Sequence, residues 1–188
     1  MDKLAPITAL GGEAPLTDTI GTITIAENAQ VALASVAARL GHEATCKKVL
    51  KTVLGGTAPN PGKSQLNDRV AGFWTGPDQW MLSAPMTTHE MIADQLKKAL
   101  GNAASVTEQS GAWVMFDVVG EKMADLCERL CNVPIRRMTT GDVQRTQIHQ
   151  LSCFVIRHKD ENHIRILGPR ASAGSLHHAL ITSAHSIA

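Results

Sequence analysis

One stretch of the sequence ends like a phosphate-binding loop. Residues Gly55–Ser64, GGTAPNPGKS, close with the Gly-Lys-Ser that contacts nucleotide phosphates in such loops. The spacing does not fit, because the first glycine of the motif would fall at Thr57 and because Pro59 and Pro61 lack the backbone N–H groups that cradle phosphate. The following residues, QLNDRVAGFW, lack the pattern of a helix that would present its N-terminal amides. The stretch therefore predicts a rigid, proline-containing loop and not a nucleotide site.

The chain has four cysteines: Cys46, Cys127, Cys131 and Cys153. Cys127 and Cys131 are four residues apart, so on a helix they share one face, together with Met123 and Leu130. A tetrahedral zinc site would need two more ligands, and the sequence has no second paired cluster to supply them. No Cys-x-x-Cys redox pair occurs, and free cysteine is commonly buried as a small apolar residue. We therefore predict that this pair packs in the core and that all four thiols are reduced.

Eight histidines are spread along the chain: His42, His89, His149, His158, His163, His177, His178 and His185. No His-Glu-x-x-His pattern occurs. His177 and His178 are adjacent on a predicted helix, so their side chains diverge by about 100° and cannot readily bind one metal. His149, His158 and His163 fall in a strand-rich region, where only the tertiary fold would bring them together. The sequence therefore predicts no metal site.

Acid–base and nucleophilic catalysis have no local support either. The SGAW stretch at Ser110 lacks the strand–turn–helix pattern of a Gly-x-Ser-x-Gly hydrolase, and the chain has no tyrosine. Glu121, Asp125 and Glu128 fall on the polar side of a predicted helix, where we expect them to be solvated. The prediction is that this chain carries no catalytic residue and no cofactor-binding residue.

Composition narrows the class of protein. The 188 residues are 44% hydrophobic and 19% charged, which is ordinary for a folded globular domain. The net charge is +1 and no basic stripe occurs, so neither nucleic acid nor an anionic membrane surface is expected as a partner. No stretch approaches the ~20 apolar residues that span a bilayer, and the N-terminus does not resemble a signal peptide. We predict a cytoplasmic protein.

The elements that must position these residues predict an α+β fold. Residues 1–19 are expected to form an irregular arm, and residues 20–188 a single α+β domain of two similar halves, about 20–108 and 109–188. In the first half we predict a strand at Ile20–Glu27, a helix at Asn28–Leu40, a long loop at residues 41–67, and strands at Arg69–Thr75 and Trp80–Ala84. A second helix is predicted to open with the capping-box spacing Thr87–Glu90 and to end at Gly101. Its buried residues are expected to be Ile92, Leu96, Ala99 and Leu100.

The second half shows a similar order of elements. We predict a strand at Ala112–Val119, a helix at Gly120–Cys131, and strands at Val143–His149, Leu151–Arg157 and His163–Leu167. A turn precedes the last of these strands, and a final helix spans about Ser172–Ser186. Each half thus reads strand, helix, strands, helix. The predicted fold is a duplicated β-α-β-β-α unit.

The segment GFWTGPDQWMLS, residues 72–83, predicts a hairpin with two large aromatic residues. With Pro77 and Asp78 at the tip, Thr75 should lie opposite Trp80, and Trp74 opposite Met81. Alternation along the strands would then place the two tryptophans on opposite faces. Either helices of the same chain cover both faces, or another protein chain covers one of them. The candidate interface residues are Trp74, Met81, Trp80 and Pro77.

Several of these stretches together resemble the gamma subunit of heterotetrameric sarcosine oxidase. They are the loop APNPGKS, the hairpin WTGPDQWML, the segment VTEQSGAWVMFDVVGEKMADLCERLCNVPI and the segment IRILGPRASAGSLHHAL, at Ala58–Ser64, Trp74–Leu82, Val106–Ile135 and Ile164–Leu180. The resemblance covers most of the chain from about residue 20, and its most specific part is the hairpin. Met81 replaces a leucine and Thr75 a more usual aliphatic residue, and these differences change the local packing without changing the implied role.

The resemblance implies a fold, partners and a role. It implies the fold of glycine-cleavage aminomethyltransferases and their folate-binding relatives. The expected partners are alpha, beta and delta subunits, which hold FAD, covalently attached FMN, NAD, tetrahydrofolate and, in the small subunit, zinc. Such a flavoprotein complex serves one-carbon metabolism by oxidising sarcosine to glycine, with formaldehyde or methylene-tetrahydrofolate and hydrogen peroxide as the other products. This chain would be its noncatalytic structural subunit.

Two alternatives remain open. One is the equivalent subunit of an N-methylglutamate dehydrogenase, which the sequence of this chain does not separate from the first reading. The other is a stand-alone folate-binding or aminomethyl-transferring protein, which the implied fold would permit because fold does not determine function.

Overall fold

A computed structural model describes residues 6–188 of the chain. Its strands and helices form two compact units, each with one antiparallel sheet. The first unit comprises residues 6–29, 112–140 and 144–188, and the second comprises residues 30–111 and 141–143. The chain crosses between the units after residues 29, 111, 140 and 143. The division into two halves at about 20–108 and 109–188 stays a prediction.

The first unit contains a six-stranded sheet and two long helices. In spatial order the strands are β1 (Thr17–Ile20), β2 (Ile23–Glu27), β8 (Trp113–Gly120), β11 (His163–Pro169), β10 (Leu151–Arg157) and β9 (Val143–Ile148). The helices are α4 (Met123–Leu130) and α5 (Ala173–His185). Alternate residues of the strands pack with the helices in one core, which includes Ile25, Phe116, Val118, Leu126, Val155, Ile164, Ile166, Leu176 and Leu180.

The second unit contains a five-stranded sheet and three helices. In spatial order the strands are β4 (Ser64–Gln65), β5 (Ala71–Gly76), β6 (Gln79–Pro85), β3 (Val31–Ala38) and β7 (Ala104–Glu108). The helices are α1 (Glu43–Leu54), α2 (Met86–His89) and α3 (Ile92–Leu100). The core of this unit includes Ala34, Val36, Leu50, Leu54, Trp80, Leu82, Leu96 and Leu100.

The two sheets have corresponding strand orders. The run β4-β5-β6-β3-β7 in one sheet matches the run β9-β10-β11-β8-β2 in the other. In each sheet the strand before the first helix, β3 or β8, therefore lies beside the last of the three strands that follow that helix. No helix in the described residues is both long and apolar enough to cross a membrane.

Most of the predicted elements are confirmed to within a few residues. This applies to β2, β5, β6, α3, β8, α4, β9, β10, β11 and α5. Ile92, Leu96 and Leu100 are buried along α3 as predicted, whereas Ala99 is exposed. Gly101, with a φ of 52°, ends that helix. The mixed α+β class is also confirmed.

The helix predicted at Asn28–Leu40 is wrong, because these residues form strand β3. Leu33, Val36 and Leu40 have helical spacing, but β3 is an inner strand that pairs with β6 on one side and β7 on the other. Ala32, Leu33 and Ala34 are three consecutive buried residues, so both faces of this part of the strand are covered. Such a strand reads as a continuous apolar run that spacing alone cannot distinguish from a helix. Leu40 lies beyond the strand and is 95% exposed.

The long loop predicted for residues 41–67 is also wrong, because it contains helix α1. Cys46, Leu50 and Leu54 follow each other at intervals of four and are fully buried. Lysines and threonines fill most of the positions between them, so the apolar stripe is narrow and escapes notice. The helix ends where Gly55, with a φ of 64°, donates its N–H to the carbonyl of Lys51.

Smaller corrections concern helix and strand ends. The predicted capping box at Thr87–Glu90 does not cap α3, because residues 86–89 form the separate short helix α2 and α3 begins at Ile92. The preceding residue, Met91, makes no side-chain capping bond. Strand β1 begins within the stretch predicted as an irregular arm, and β7 was not predicted. The part of that arm formed by residues 1–5 lies outside the described residues.

Candidate functional site

The tryptophan hairpin forms as predicted, but its register differs by one residue. Trp74 lies directly opposite Trp80, and Phe73 lies opposite Met81. Because directly opposite residues share a face of the sheet, the two tryptophans lie on the same face. The prediction of one tryptophan on each face is therefore wrong.

The shift in register comes from the shape of the hairpin end. The pairing skips one position between Trp74 and Gly76, which is a bulge in β5. Gly76 pairs with Gln79, so the loop contains only Pro77 and Asp78. Asp78 adopts a φ of 54°, a left-handed conformation that aspartate tolerates in tight turns. A bulge adds one residue to one strand, and a pairing worked out from the turn alone cannot foresee it.

Trp80 acts as an internal anchor of the second unit. Its ring is 2% exposed, and its indole N–H donates a hydrogen bond of 2.9 Å to the carbonyl oxygen of Pro59. The Lys47 ammonium lies 6.0 Å from the ring centroid and forms a 2.6 Å ion pair with Asp78 at the hairpin tip. Met81 is 4% exposed. Trp80 and Met81 are therefore buried within this chain, and their place at an interface stays a prediction.

Two of the predicted interface residues keep some surface. Trp74 is half-buried and Pro77 is exposed at the hairpin tip. The end of strand β3 lies beside this tip, since the Ala38 N–H donates to the Asp78 carbonyl at 3.0 Å. Leu40, 95% exposed, follows two residues later. We call Leu40, Trp74 and Pro77 the hairpin-tip surface.

The Gly-Lys-Ser stretch does not form a phosphate-binding loop. Lys63 pairs with Asp142, so its ammonium is committed within the fold. The Ser64 hydroxyl donates to the carbonyl of Gly141 at 3.0 Å, and its backbone N–H donates to the same carbonyl at 2.7 Å. A short strand, and no helix, begins at Ser64. The residues that would hold a phosphate instead fix the loop.

The cysteine pair packs in the first unit as predicted. Cys127 is 1% exposed, and its sulfur lies 3.8 Å from that of the half-buried Cys131. A hydrogen bond with the Cys127 thiol is the main reason why the pKa of Cys131 is lowered to about 7. The same bond, with burial, raises the pKa of Cys127 well above its ordinary value. Burial raises the pKa of Cys46 and of Cys153 to about 11. Cys131 is thus the thiol most ready to ionise at neutral pH.

The carboxylates on α4 lie at the surface, as predicted. Asp125 and Glu128 both pair with Arg136, whose Nε lies 2.8 Å from the Glu128 carboxylate. Glu121 is exposed. Ser110, the residue of the SGAW stretch, accepts a 2.8 Å hydrogen bond from the Leu33 backbone N–H through its hydroxyl oxygen. These contacts fix secondary structure and assemble no nucleophile with a base.

A buried charge cluster occupies one face of the sheet in the first unit. Asp117 on β8 lies directly opposite Arg165 on β11, and His163 lies two residues before Arg165 on the same face. The Arg165 guanidinium donates Nε–H to one carboxylate oxygen at 2.7 Å and a second N–H to the other at 3.0 Å. Asn28 donates to the carboxylate at 2.8 Å, and His163 Nε2 lies 3.0 Å from it.

These donors determine the charge of Asp117. Burial alone would raise the pKa of this carboxyl. Hydrogen bonds from His163, Arg165 and Asn28, together with the charge of Arg165, outweigh burial and hold the pKa of Asp117 well below its usual range. The carboxylate is therefore ionised and fully paired, which is an arrangement that orients neighbouring groups and does not transfer protons at neutral pH.

The fold brings together two of the histidines that the sequence left apart. His158 and His163 lie on either side of the four-residue loop 159–162, where β10 connects to β11, and their ring centroids are 4.2 Å apart. Asp160 of this loop has a carboxylate oxygen 3.7 Å from His163 Nδ1. Burial is the main cause that lowers the pKa of His158, and the electrostatic effect of the neighbouring His163 lowers it further. The His158 imidazole is therefore neutral at neutral pH. His149 lies at the other end of β10, in the turn that precedes it.

The sequence carried a signal for this pair. In a hairpin with a four-residue loop, the residues on either side of the loop are directly opposite each other, with Cβ atoms about 5 Å apart. The predicted strands, which end at Arg157 and begin at His163, already left only residues 158–162 between them. His177 and His178 diverge on α5 as predicted: His177 bonds Asp18 at 2.8 Å and His178 is exposed.

Comparisons with solved structures establish the fold. A chain of the heterotetrameric sarcosine oxidase from Corynebacterium sp. U-96, in complex with pyrrole 2-carboxylate, superposes with a TM-score of 0.77 at 21% identity, over 90% of this chain and 87% of that one. The glycine cleavage system aminomethyltransferase T from Bartonella henselae superposes with a TM-score of 0.62 at 17% identity, over 82% of this chain and 44% of that one. No family model and no curated protein matches the sequence. The chain therefore has an α+β fold that is similar to the folds of both proteins.

Proposed function

We propose that this chain is the gamma subunit, with a structural and noncatalytic role, of a sarcosine-oxidase-like complex. The observation that carries the proposal is the extent of the match to a chain of heterotetrameric sarcosine oxidase: 90% of this chain and 87% of that one superpose. The two chains thus correspond almost end to end. The aminomethyltransferase is more than twice as long as the part that this chain matches.

The chemistry of the described side chains supports a structural role. The charge cluster of the first unit pairs Asp117 with Arg165, and the Gly-Lys-Ser lysine pairs with Asp142. An enzyme site needs charged groups that face a substrate, whereas these groups neutralise each other within the fold. The proposed partners are alpha, beta and delta subunits, which would hold FAD, FMN, NAD and tetrahydrofolate in the cytoplasm.

The proposed duplication of a β-α-β-β-α unit is supported by the corresponding strand orders of the two sheets. In this proposal each copy of the β-α-β-β-α unit supplies a rigid frame. In this proposal the hairpin-tip surface packs against another subunit, because such a contact would remove the exposed Leu40 and the remaining surface of Trp74 from water. A stable contact of this kind buries about 2,000 Å² or more in total.

Co-expression tests the proposal. The chain would be produced with the proteins encoded beside it, and the mixture separated by size-exclusion chromatography. We expect the chain to elute with flavin-containing subunits at a constant ratio. If it elutes as a monomer and a fully active oxidase assembles without it, the proposal is wrong. Substrate assays of the complex with sarcosine and N-methylglutamate would separate sarcosine oxidase from the related dehydrogenase.

The similarity to aminomethyltransferase T favours one alternative, a stand-alone folate-binding protein. Titration calorimetry of the isolated chain with tetrahydrofolate distinguishes the two. Binding in the micromolar range would favour the alternative, and no heat of binding would favour the structural subunit.

A further inference from the structure

The loop between β10 and β11 holds two imidazoles and a carboxylate within reach of a single ion. Ligand atoms of His158, Asp160 and His163 all lie within 4.8 Å of one another. The 3.7 Å separation of His163 Nδ1 and Asp160 is too long for a hydrogen bond. Among the described residues, His158 Nδ1 is a buried atom without a hydrogen-bond partner. Buried polar atoms are rarely left unsatisfied in folded proteins, so each such atom requires an explanation.

A carboxylate behind the loop orients one of the imidazoles. His163 Nε2 lies 3.0 Å from Asp117, which leaves Nδ1 on the side of Asp160. Histidines that bind metals commonly donate their other ring N–H to a carboxylate, which fixes the ring and raises the basicity of the ligating nitrogen. Asp117 is itself held by both arms of Arg165. The outer shell of a metal site is thus already assembled.

The backbone of the loop is also fixed. The His158 N–H donates to the His163 carbonyl at 3.0 Å, and the His163 N–H donates to the Asp160 carbonyl at 3.2 Å. The Arg157 guanidinium donates to the carbonyl of Glu161 inside the loop. A binding site on such a frame needs only side-chain rotation to close.

We propose that this loop binds one divalent transition-metal ion, of which zinc is the reference case, through His158, Asp160 and His163. Zinc bonds of about 2.0–2.2 Å to nitrogen and oxygen place neighbouring ligand atoms about 3.4 Å apart. The ligand atoms, which lie within 4.8 Å of one another, must therefore approach by about 1.4 Å at most. The Asp160 side chain is 81% exposed and free to rotate toward the two rings.

The ligand set determines which ions fit. Two neutral imidazoles and one carboxylate suit zinc, cobalt or nickel, whereas magnesium and calcium prefer sites made of oxygen alone. The negative charge of Asp160 offsets part of the charge of the ion, while that of Asp117 is already matched by Arg165. Three protein ligands leave a fourth position for a water molecule or for a group from another chain.

Metal titration of the full, tag-free chain tests this proposal. After treatment with a chelator, the chain is titrated with Zn²⁺ by calorimetry and with Co²⁺ by visible absorption, which reports tetrahedral coordination. We expect saturation at one ion per chain for both metals and no binding of Mg²⁺. Asp160→Ala and His158→Ala should each weaken Zn²⁺ binding by at least about 10-fold.

Two controls make the result interpretable. His178→Ala removes an exposed histidine of α5 and should leave the affinity unchanged. Asp160→Ala changes an exposed loop side chain and should keep the thermal midpoint of the metal-free wild type. The proposal is overturned if the wild type does not bind Zn²⁺, or if Asp160→Ala and His158→Ala bind it as tightly as wild type. The experiment uses the isolated chain, so its outcome is independent of the proposed subunit role.

Discussion

Replacing Asp117 by asparagine tests the buried charge cluster of the first unit. The substitution keeps the size of the side chain but removes the charge that faces Arg165 across 2.7 and 3.0 Å. The side chains of Arg165 and Asp117 are 21% and 18% exposed, so the remaining guanidinium would stay largely desolvated without a counter-charge. Breaking a buried ion pair on one side costs about 3–5 kcal/mol, and the partial exposure here places the expected loss at about 3 kcal/mol.

Urea unfolding followed by circular dichroism measures this loss. With an m-value of about 2 kcal/mol per molar urea, a loss of about 3 kcal/mol lowers the midpoint by about 1.5 M. The matched control is Asp125→Asn, which removes a carboxylate that is 48% exposed and pairs with Arg136 at the surface. That change should stay within about 0.5 kcal/mol. A midpoint for Asp117→Asn equal to that of the control would refute the assigned role of the cluster.

The difference in stability between the wild type and Asp117→Asn should also depend on pH. The pKa of Asp117 is held below its ordinary value in the folded chain, so the contribution of the carboxylate is fully present above the unfolded value of about 3.9. It is lost as the pH falls through the lowered pKa. The stability difference between wild type and Asp117→Asn should therefore be constant from pH 7 to about pH 5 and should narrow in stronger acid. A difference that grows on acidification would contradict this reasoning.

Three further predictions concern other parts of the chain. The rate of alkylation of Cys131 by iodoacetamide should rise with pH, with a midpoint near pH 7. Cys127→Ala should move this midpoint upward, because the Cys127 thiol is the main cause of the lowered pKa of Cys131. Mass spectrometry of the modified peptide measures both midpoints, and an unchanged midpoint in the variant would contradict the assignment. Trp80→Phe removes a buried indole hydrogen bond of 2.9 Å and should cost about 1–3 kcal/mol in the free energy of unfolding; a cost near zero would show that the ring does not anchor the hairpin. Leu40→Asp should reduce co-elution of the chain with the partner subunits. Met91 is also an exposed apolar residue, but it lies beyond the other end of β6, so Met91→Asp should leave co-elution unchanged. Equal co-elution of the two variants would show that the hairpin-tip surface is not part of the interface.

The local features of the fold could be predicted where one pattern dominated. Strand β10 has the predicted ends, Leu151 and Arg157, and α5 lies within one residue of its predicted limits. The prediction failed at β3, where burial on both faces removes the alternation that marks a strand. It also failed at α1, whose buried stripe of Cys46, Leu50 and Leu54 is only one residue wide. In both cases tertiary packing, and not local preference, determines the structure.

The tryptophan hairpin and the contacts of His163 were harder to predict, because they depend on how the strands pair. A bulge before Gly76 placed Trp74 and Trp80 on one face, and no property of the turn residues indicates an extra residue in the strand. The approach of His158 to His163 was not predicted, although the short segment between the two predicted strands was a signal for it. The contact of His163 with Asp117 required the order of β8 and β11 in the sheet, which the sequence alone did not provide.

The most direct test of the proposed role measures activity with and without this chain. The flavin-bearing subunits of the complex would be purified in its absence, and sarcosine-dependent oxygen consumption would be recorded before and after the purified chain is added back. We expect the incomplete complex to be unstable and weakly active, and we expect addition of the chain to restore both the mass of the complex and its rate. Full activity of a stable complex that lacks this chain would contradict the proposed structural role.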